Sequence, residues 1–142
     1  MTRIFLFFTT MLLASCSGEA VDHDNALEAQ TAAILDTSEC PSSSIESVSM
    51  ERQEPMVNRC NSLHTSLRNS NIIAHGGVRP GVEADIWNGL SEFEQAKVLL
   101  SAACQQSAGI PGPQAVTVVE AGTSTSLVSK TVCVRDPLQL TH

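Results

Sequence analysis

The sequence has few aromatic side chains and few basic ones. Of its 142 residues none is tyrosine, one is tryptophan and four are phenylalanine. Only Trp87 and Phe93 lie beyond the first sixteen residues, which argues against a carbohydrate or peptide groove built on aromatic platforms. Lysine and arginine total 8 against 15 acids and form no cluster. Nucleic-acid binding is therefore excluded, because it needs a basic patch facing the phosphates.

The sequence also lacks the motifs of the common catalytic classes. It has no P-loop, no dinucleotide-binding fingerprint and no C-x-x-C pair. The H-G-G run at 75–77 is similar to the oxyanion loop of some esterases, but those enzymes also need a G-x-S-x-G elbow, which is absent. We interpret Glu83, Asp85, Glu92 and Glu94 as solvated acids rather than as an acid–base pair. We expect no catalytic, cofactor-binding or metal-binding residues.

No apolar run is long enough to cross a membrane, but a shorter one opens the chain. Arg3 is followed by mostly apolar residues from Ile4 to Ala14, whereas a membrane-spanning helix needs about 20. A positive start, a short apolar run and small residues make up a secretory signal peptide. We therefore predict that residues 1–15 are a signal peptide and that the remainder is exported.

The signal ends in Leu13-Ala14-Ser15-Cys16, which resembles the lipobox of bacterial lipoproteins. The resemblance covers residues 1–16 and implies that the chain is cut before Cys16 and that its thiol carries fatty acyl chains such as palmitate. Two or more acyl chains anchor durably, whereas one binds reversibly. In Gram-negative members an aspartate after the cysteine favours the inner membrane, so Ser17 implies an outer-membrane anchor facing the periplasm.

Four cysteines remain beyond the signal: Cys40, Cys60, Cys104 and Cys133. In an exported chain an even number of cysteines indicates disulfides, and four allow three connectivities. We favour Cys40–Cys60 and Cys104–Cys133, because each would join neighbouring elements and contribute about 3 kcal/mol in the chain-entropy model. The second pair requires either a bulge in its strand or that the Cys133 side of the strand be the covered one.

An acidic segment precedes a neutral body. Nine acids and one base, Arg52, lie between Ser17 and Glu54, whereas acids and bases balance from Pro55 onward. Val21–Asp36 has apolar residues at helical spacing and acids at its start, where a helix dipole favours them. We predict that residues 16–44 form an acidic tether with a possible helix, and that residues 45–142 form a small domain.

Two helices are expected within the domain. Apolar residues at helical spacing predict the first from Pro55 to about Arg68, since proline suits a first helical turn. Ser91 and Glu94 match the S-x-x-E capping box, and Gly109 provides a left-handed end. The second helix should therefore span residues 92–108.

The C-terminal part predicts a β-hairpin. Two alternating, β-branched runs at 114–121 and 126–134 flank the turn-forming G-T-S-T. Residues 70–89 are rich in glycine and predict an irregular connector with Trp87 buried. We therefore expect an α+β fold in which two or three helices pack on a short antiparallel hairpin or sheet stapled by disulfides.

These features favour a membrane-anchored cell-envelope lipoprotein with a non-catalytic binding or structural role, for which a protein of the envelope is a candidate partner. Two alternatives remain open. One is an inhibitor, immunity or exclusion factor that acts on a protein partner. The other is a thiol enzyme that uses Cys60 and His64, which lie four residues apart on one helix face. His23 and His142 fall in the leader and the tail, where no fixed geometry is expected.

Overall fold

The computed structural model describes residues 29, 31–32, 34–41 and 50–135. Within this part, three helices and three strands have defined bounds: α1 (Met50–Asn69), β1 (Gly81–Val82), α2 (Ala84–Gly89), α3 (Glu92–Ser107), β2 (Gly112–Glu120) and β3 (Ser126–Val134). Residues 31–32 and 34–35 are also helical; we call the described residues between 31 and 41 the N-terminal segment. The predicted signal peptide, the lipidation site Cys16, His23, His142 and most of the predicted tether lie outside the described residues.

The three strands form one mixed sheet in the order β1-β2-β3. β2 and β3 pair antiparallel, with Thr117 opposite Ser129, and the pairing is irregular at Val118/Val119. This confirms the predicted hairpin and the α+β class. β1 pairs parallel to β2, with Gly81 opposite Val119, so the sheet is not purely antiparallel as expected.

The core lies between one face of the hairpin and helix α3. Val116 and Val118 of β2, with Val132 and Val134 of β3, are at most 1% exposed. The facing side of α3 is built largely from alanine and valine, together with Leu99. Small side chains allow the helix to approach the sheet closely, and burial of apolar area is the main favourable term in folding.

Helix α3 begins and ends largely as its sequence predicts. The Ser91 hydroxyl accepts a hydrogen bond from the Glu94 backbone N–H, and the Glu94 carboxylate accepts from the Ser91 backbone N–H. This confirms the capping box, which typically stabilises a helix by about 1 kcal/mol. At the other end the left-handed conformation begins at Ala108 (φ 53°) and continues at Gly109 (φ 79°), one residue earlier than predicted.

The connector at 70–89 is more regular than its composition suggests. It contains β1 and the six-residue helix α2, and Trp87 on α2 is buried as predicted. Both elements are shorter than the windows in which helical or strand periodicity can be recognised. Helix α1 also begins at Met50 rather than at Pro55, which lies inside it.

The cysteines pair as Cys40–Cys133 and Cys60–Cys104, with Cα–Cα distances of 5.7 and 5.5 Å. The presence of disulfides is confirmed, but the predicted pairs Cys40–Cys60 and Cys104–Cys133 are wrong. Side chains alternate along a strand, so Cys133 points away from the face on which Val132, Val134 and α3 pack. The N-terminal segment reaches that side, whereas α1 and α3 are neighbours and bring Cys60 to Cys104.

Peptide mapping tests this connectivity directly, because trypsin places each of the four cysteines in a different peptide. A digest made without reduction should contain residues 60–68 joined to residues 98–130. It should also contain residues 131–135 joined to the peptide that ends at Arg52. Mass spectrometry before and after reduction identifies both pairs, and a peptide 60–68 joined to the one ending at Arg52 would contradict the structure.

Candidate functional site

The end of the N-terminal segment is held on strand β3 by a disulfide and by an arginine. Cys40 is bonded to Cys133. The Arg135 guanidinium donates to the backbone carbonyl oxygens of Asp36 at 3.3 Å and of Glu39 at 3.5 Å. We call the turn 36–40 together with Cys133 and Arg135 the clasp. It gives the segment a covalent and a polar attachment to the same strand end.

The clasp turn is internally ordered and continues a segment that packs into the core. The Asp36 carboxylate accepts hydrogen bonds from the backbone N–H and hydroxyl of Ser38, and these bonds lower the pKa of Asp36. Just before the turn, Ile34 is 9% exposed and belongs to the core, and Leu35 packs against it. These contacts place part of the segment on the body, ahead of the boundary expected at residue 45.

A cleft of about 260 Å³ opens between the N-terminal segment, α3 and β3. We call it the cleft, and its lining residues are Thr31, Leu35, Trp87, Glu92, Gln95, Ala96, Leu99, Leu127, Val128 and Lys130. The four lining residues of α3, which are Glu92, Gln95, Ala96 and Leu99, lie on one face of the helix. The two lining residues of the N-terminal segment, Thr31 and Leu35, lie one helical turn apart. The cleft therefore exists only where the N-terminal segment, α3 and β3 meet, with Trp87 contributed by α2.

One wall of the cleft is apolar and mostly buried; it consists of Trp87, Ala96, Leu99, Leu127 and Val128. Trp87, Ala96 and Leu99 are at most 7% exposed, and Leu127 and Val128 are half-buried. Trp87 is fixed through its backbone, because the Gln95 side-chain amide donates to its carbonyl oxygen at 2.9 Å. The wall is therefore a pre-formed apolar surface rather than a loose loop.

Opposite charges stand on different walls of the cleft. Glu92 is in the first turn of α3 and Lys130 is on β3, and both are exposed. Neither side chain forms a hydrogen bond or an ion pair with the part of the chain that the structure describes. The cleft thus presents one anionic and one cationic group above an apolar wall.

The structure does not bring together a Cys60–His64 catalytic pair. Cys60 is bonded to Cys104, so it carries no free thiol that an imidazole could deprotonate. His64 instead lies with its Nδ1 atom 3.4 Å from the hydroxyl oxygen of Ser101. Ser101 is 0% exposed, so a substrate cannot reach its hydroxyl, and the pair links α1 to α3.

The glycines of the loop after α1 provide space for imidazole rings. A side chain added at Gly76 would collide with the ring of His64, and one added at Gly81 would collide with the ring of His75. Gly81 also exchanges backbone hydrogen bonds with the start of the loop, at Ala74 and His75. These contacts explain Gly76 and Gly81 as packing positions.

The four acids considered as a catalytic pair have separate surroundings. Glu83, Asp85 and Glu92 are exposed, and Glu94 is occupied by the capping box. Its hydrogen bonds from Ser91 lower the pKa of Glu94. Among the described residues, no group of three or more histidine, cysteine, aspartate or glutamate side chains could hold a metal ion.

Three other depressions lie on the part of the chain that the structure describes. One of about 720 Å³ is an open strip of asparagine, serine and threonine side chains along α1. One of about 120 Å³ lies over the Cys60–Cys104 bond, beside Arg59 and Arg135. The third matches the cleft in volume, about 260 Å³, and also combines isoleucine side chains with two charged groups, Arg68 and Glu83. The cleft differs from it in containing the tryptophan.

No family model, curated protein or solved structure matches the chain. Within the described ranges, no helix has the length and apolar character needed to cross a membrane.

The cleft has no clear signature in the sequence. The sequence predicts that Trp87 is buried and that Val128 lies on a strand, but nothing in it distinguishes Glu92 from a solvated acid or gives Lys130 a role. The spacing of Glu92, Gln95, Ala96 and Leu99 marks one stripe of α3, which is the local signal available. The wall formed by Thr31 and Leu35 could not be inferred, because the position of the N-terminal segment depends on which cysteine is bonded to Cys40.

The pKa of His64 predicts a pH-dependent stability. Burial, and then the Arg68 guanidinium, lower this pKa below the usual 6.5. The unfolded chain therefore binds a proton at His64 more readily than the folded one, so stability is fully present above the unfolded pKa and is lost as the pH falls through the folded pKa.

We expect the free energy of unfolding in urea to decrease between about pH 7.5 and pH 5, and to decrease less in the His64→Gln variant. Arg68→Gln should also reduce the decrease, because it removes the charge that opposes protonation. Asp36 and Glu94, whose pKa values are lowered, should matter only below about pH 5. An identical decrease in native protein and His64→Gln would show that His64 is not the group responsible.

Proposed function

We propose that this chain is a lipoprotein of the bacterial cell envelope, anchored through acyl chains on Cys16 at the outer membrane and facing the periplasm. The observation that carries the proposal is the pairing of all four cysteines beyond the signal. Disulfides form and persist in oxidising compartments such as the periplasm. Together with the lipobox at 13–16, this supports export followed by lipidation.

The position of the clasp suits a lipid-anchored domain. Cys16 and Ala29 are 13 residues apart, so the connection between them can span at most about 45 Å. The intervening acids should be repelled by an anionic membrane surface, which favours a spacer. A pull on the anchor would reach the domain through the N-terminal segment, and the Cys40–Cys133 bond would resist it covalently.

We further propose that the role is non-catalytic, and that the domain presents a binding or structural surface. Three arrangements support this. The cysteine that could have served as a nucleophile is bonded to Cys104, the hydroxyl near His64 is buried, and Glu94 is occupied by a helix cap. The cleft is lined by apolar side chains together with two charged ones, Glu92 and Lys130, and we propose it as the binding surface.

Replacing Cys16 tests the anchor. Cys16→Ser should move the protein from the membrane fraction to the soluble envelope fraction and remove the acyl mass from its intact-mass spectrum. Ser17→Ala is the matched control and should remain on the outer membrane, whereas Ser17→Asp should shift it to the inner membrane. An unchanged distribution and mass for Cys16→Ser would end the proposal.

The same preparation separates the binding role from an inhibitor or immunity role. The lipidated native protein, purified from envelope extract after mild cross-linking, should lack a stoichiometric protein partner if the cleft binds a small molecule. A partner captured at one-to-one stoichiometry would replace this proposal with the protein-directed alternative.

A further inference from the structure

From the cleft we infer a binding site for a small zwitterion with an apolar side chain, either a free aliphatic amino acid or a short apolar peptide. The inference deepens the binding role proposed above, on which it rests. It depends on three features of the cleft: a buried apolar wall, two opposite charges on different walls, and a limited volume.

The apolar wall provides a place for an aliphatic group. Leu35, Leu127 and Val128 are half-buried and provide the accessible apolar surface, whereas Trp87 and Leu99 are almost fully buried and add little to it. Transferring an aliphatic side chain from water onto such a surface is favourable in proportion to the apolar area covered. The wall alone does not distinguish ligands, because any apolar group of suitable size would be accepted.

The two charges distinguish a zwitterion from a ligand with a single charge. A ligand ammonium can pair with the Glu92 carboxylate, and a ligand carboxylate can pair with the Lys130 ammonium. Filling the cleft removes water from both side chains, so a ligand with a single charge would leave one of them desolvated and without a partner. A zwitterion satisfies both, and charge-assisted hydrogen bonds are stronger than neutral ones.

The volume limits the size of the ligand. The cleft measures about 260 Å³, below the roughly 300–1,000 Å³ of sites for drug-sized molecules. A cleft of this size suits a small zwitterion such as leucine rather than a drug-sized molecule. A short peptide would need its second residue to extend over the rim.

The single tryptophan makes the site directly observable. Trp87 lines the cleft, and the chain has no tyrosine, so intrinsic fluorescence reports on this position alone. Leucine titrated into the full-length protein purified in detergent should give a saturable change in Trp87 emission. Isothermal titration should then give one site per chain.

Matched variants test the assignment of the charges. Glu92→Gln and Lys130→Gln should each weaken leucine binding by about tenfold or more. Glu54→Gln and Lys97→Gln remove the same charges at positions outside the cleft and should bind as the native chain does. A cooperative urea transition in every variant verifies that the domain is folded.

Ligands with a single charge complete the test. 3-Methylbutylamine should bind more weakly than leucine and be insensitive to Lys130→Gln. 4-Methylpentanoate should also bind more weakly and be insensitive to Glu92→Gln. Leucyl-leucine compared with leucine distinguishes a free amino acid from a peptide as the preferred source of the same chemistry.

The inference is overturned if neither leucine nor leucyl-leucine gives a saturable signal up to about 10 mM. It is also overturned if the amine or the acid binds as tightly as leucine, or if the two cleft variants bind as the native chain does. Failure of the anchor proposal can be distinguished from failure of this inference, because an unlipidated chain that binds leucine ends only the anchor proposal. Recovery of unchanged leucine by NMR tests the non-catalytic role separately.

Discussion

The bond between Cys40 and Cys133 determines where the N-terminal segment meets the folded body, and most of the functional argument depends on that position. The two residues are 93 apart in sequence, and a closed loop of this length corresponds to about 4–5 kcal/mol in the chain-entropy model. Small domains have total stabilities of only about 5–15 kcal/mol. The disulfide therefore contributes a large share of the free energy of unfolding. The hydrogen bonds from Arg135 to two backbone carbonyls of the turn hold the same end of the segment.

The cleft depends on that attachment. α3 and β3 provide two of its walls and belong to the core whether or not the segment is present. Thr31 and Leu35 provide the third wall and are held in place by the packing of Ile34 and by the clasp. The Cys40–Cys133 bond therefore holds the segment that completes the cleft. The Cys60–Cys104 bond has a different role, because it joins two helices that already pack together.

Elements with strong local signals could be predicted from the sequence, and elements set by long-range contacts could not. The capping box at Ser91, the hairpin around G-T-S-T and the burial of Trp87 all follow from patterns within a few residues. β1 and α2 are too short to show a period. The predicted cysteine pairs are wrong because they join cysteines that are neighbours in the sequence. The observed pairs depend instead on the strand face on which Cys133 lies. The cleft requires three distant parts to be placed correctly, so no single stretch of sequence indicates it.

Hydrogen exchange tests most directly whether the clasp holds the N-terminal segment. The informative amide is that of Asp36, which donates to the Ala32 carbonyl oxygen at 2.8 Å. Native protein should protect this amide, and a protein carrying Cys40→Ser and Cys133→Ser together should exchange it much faster while α3 and β2 remain protected. Equal protection of the segment in both proteins would contradict the central role given to the disulfide.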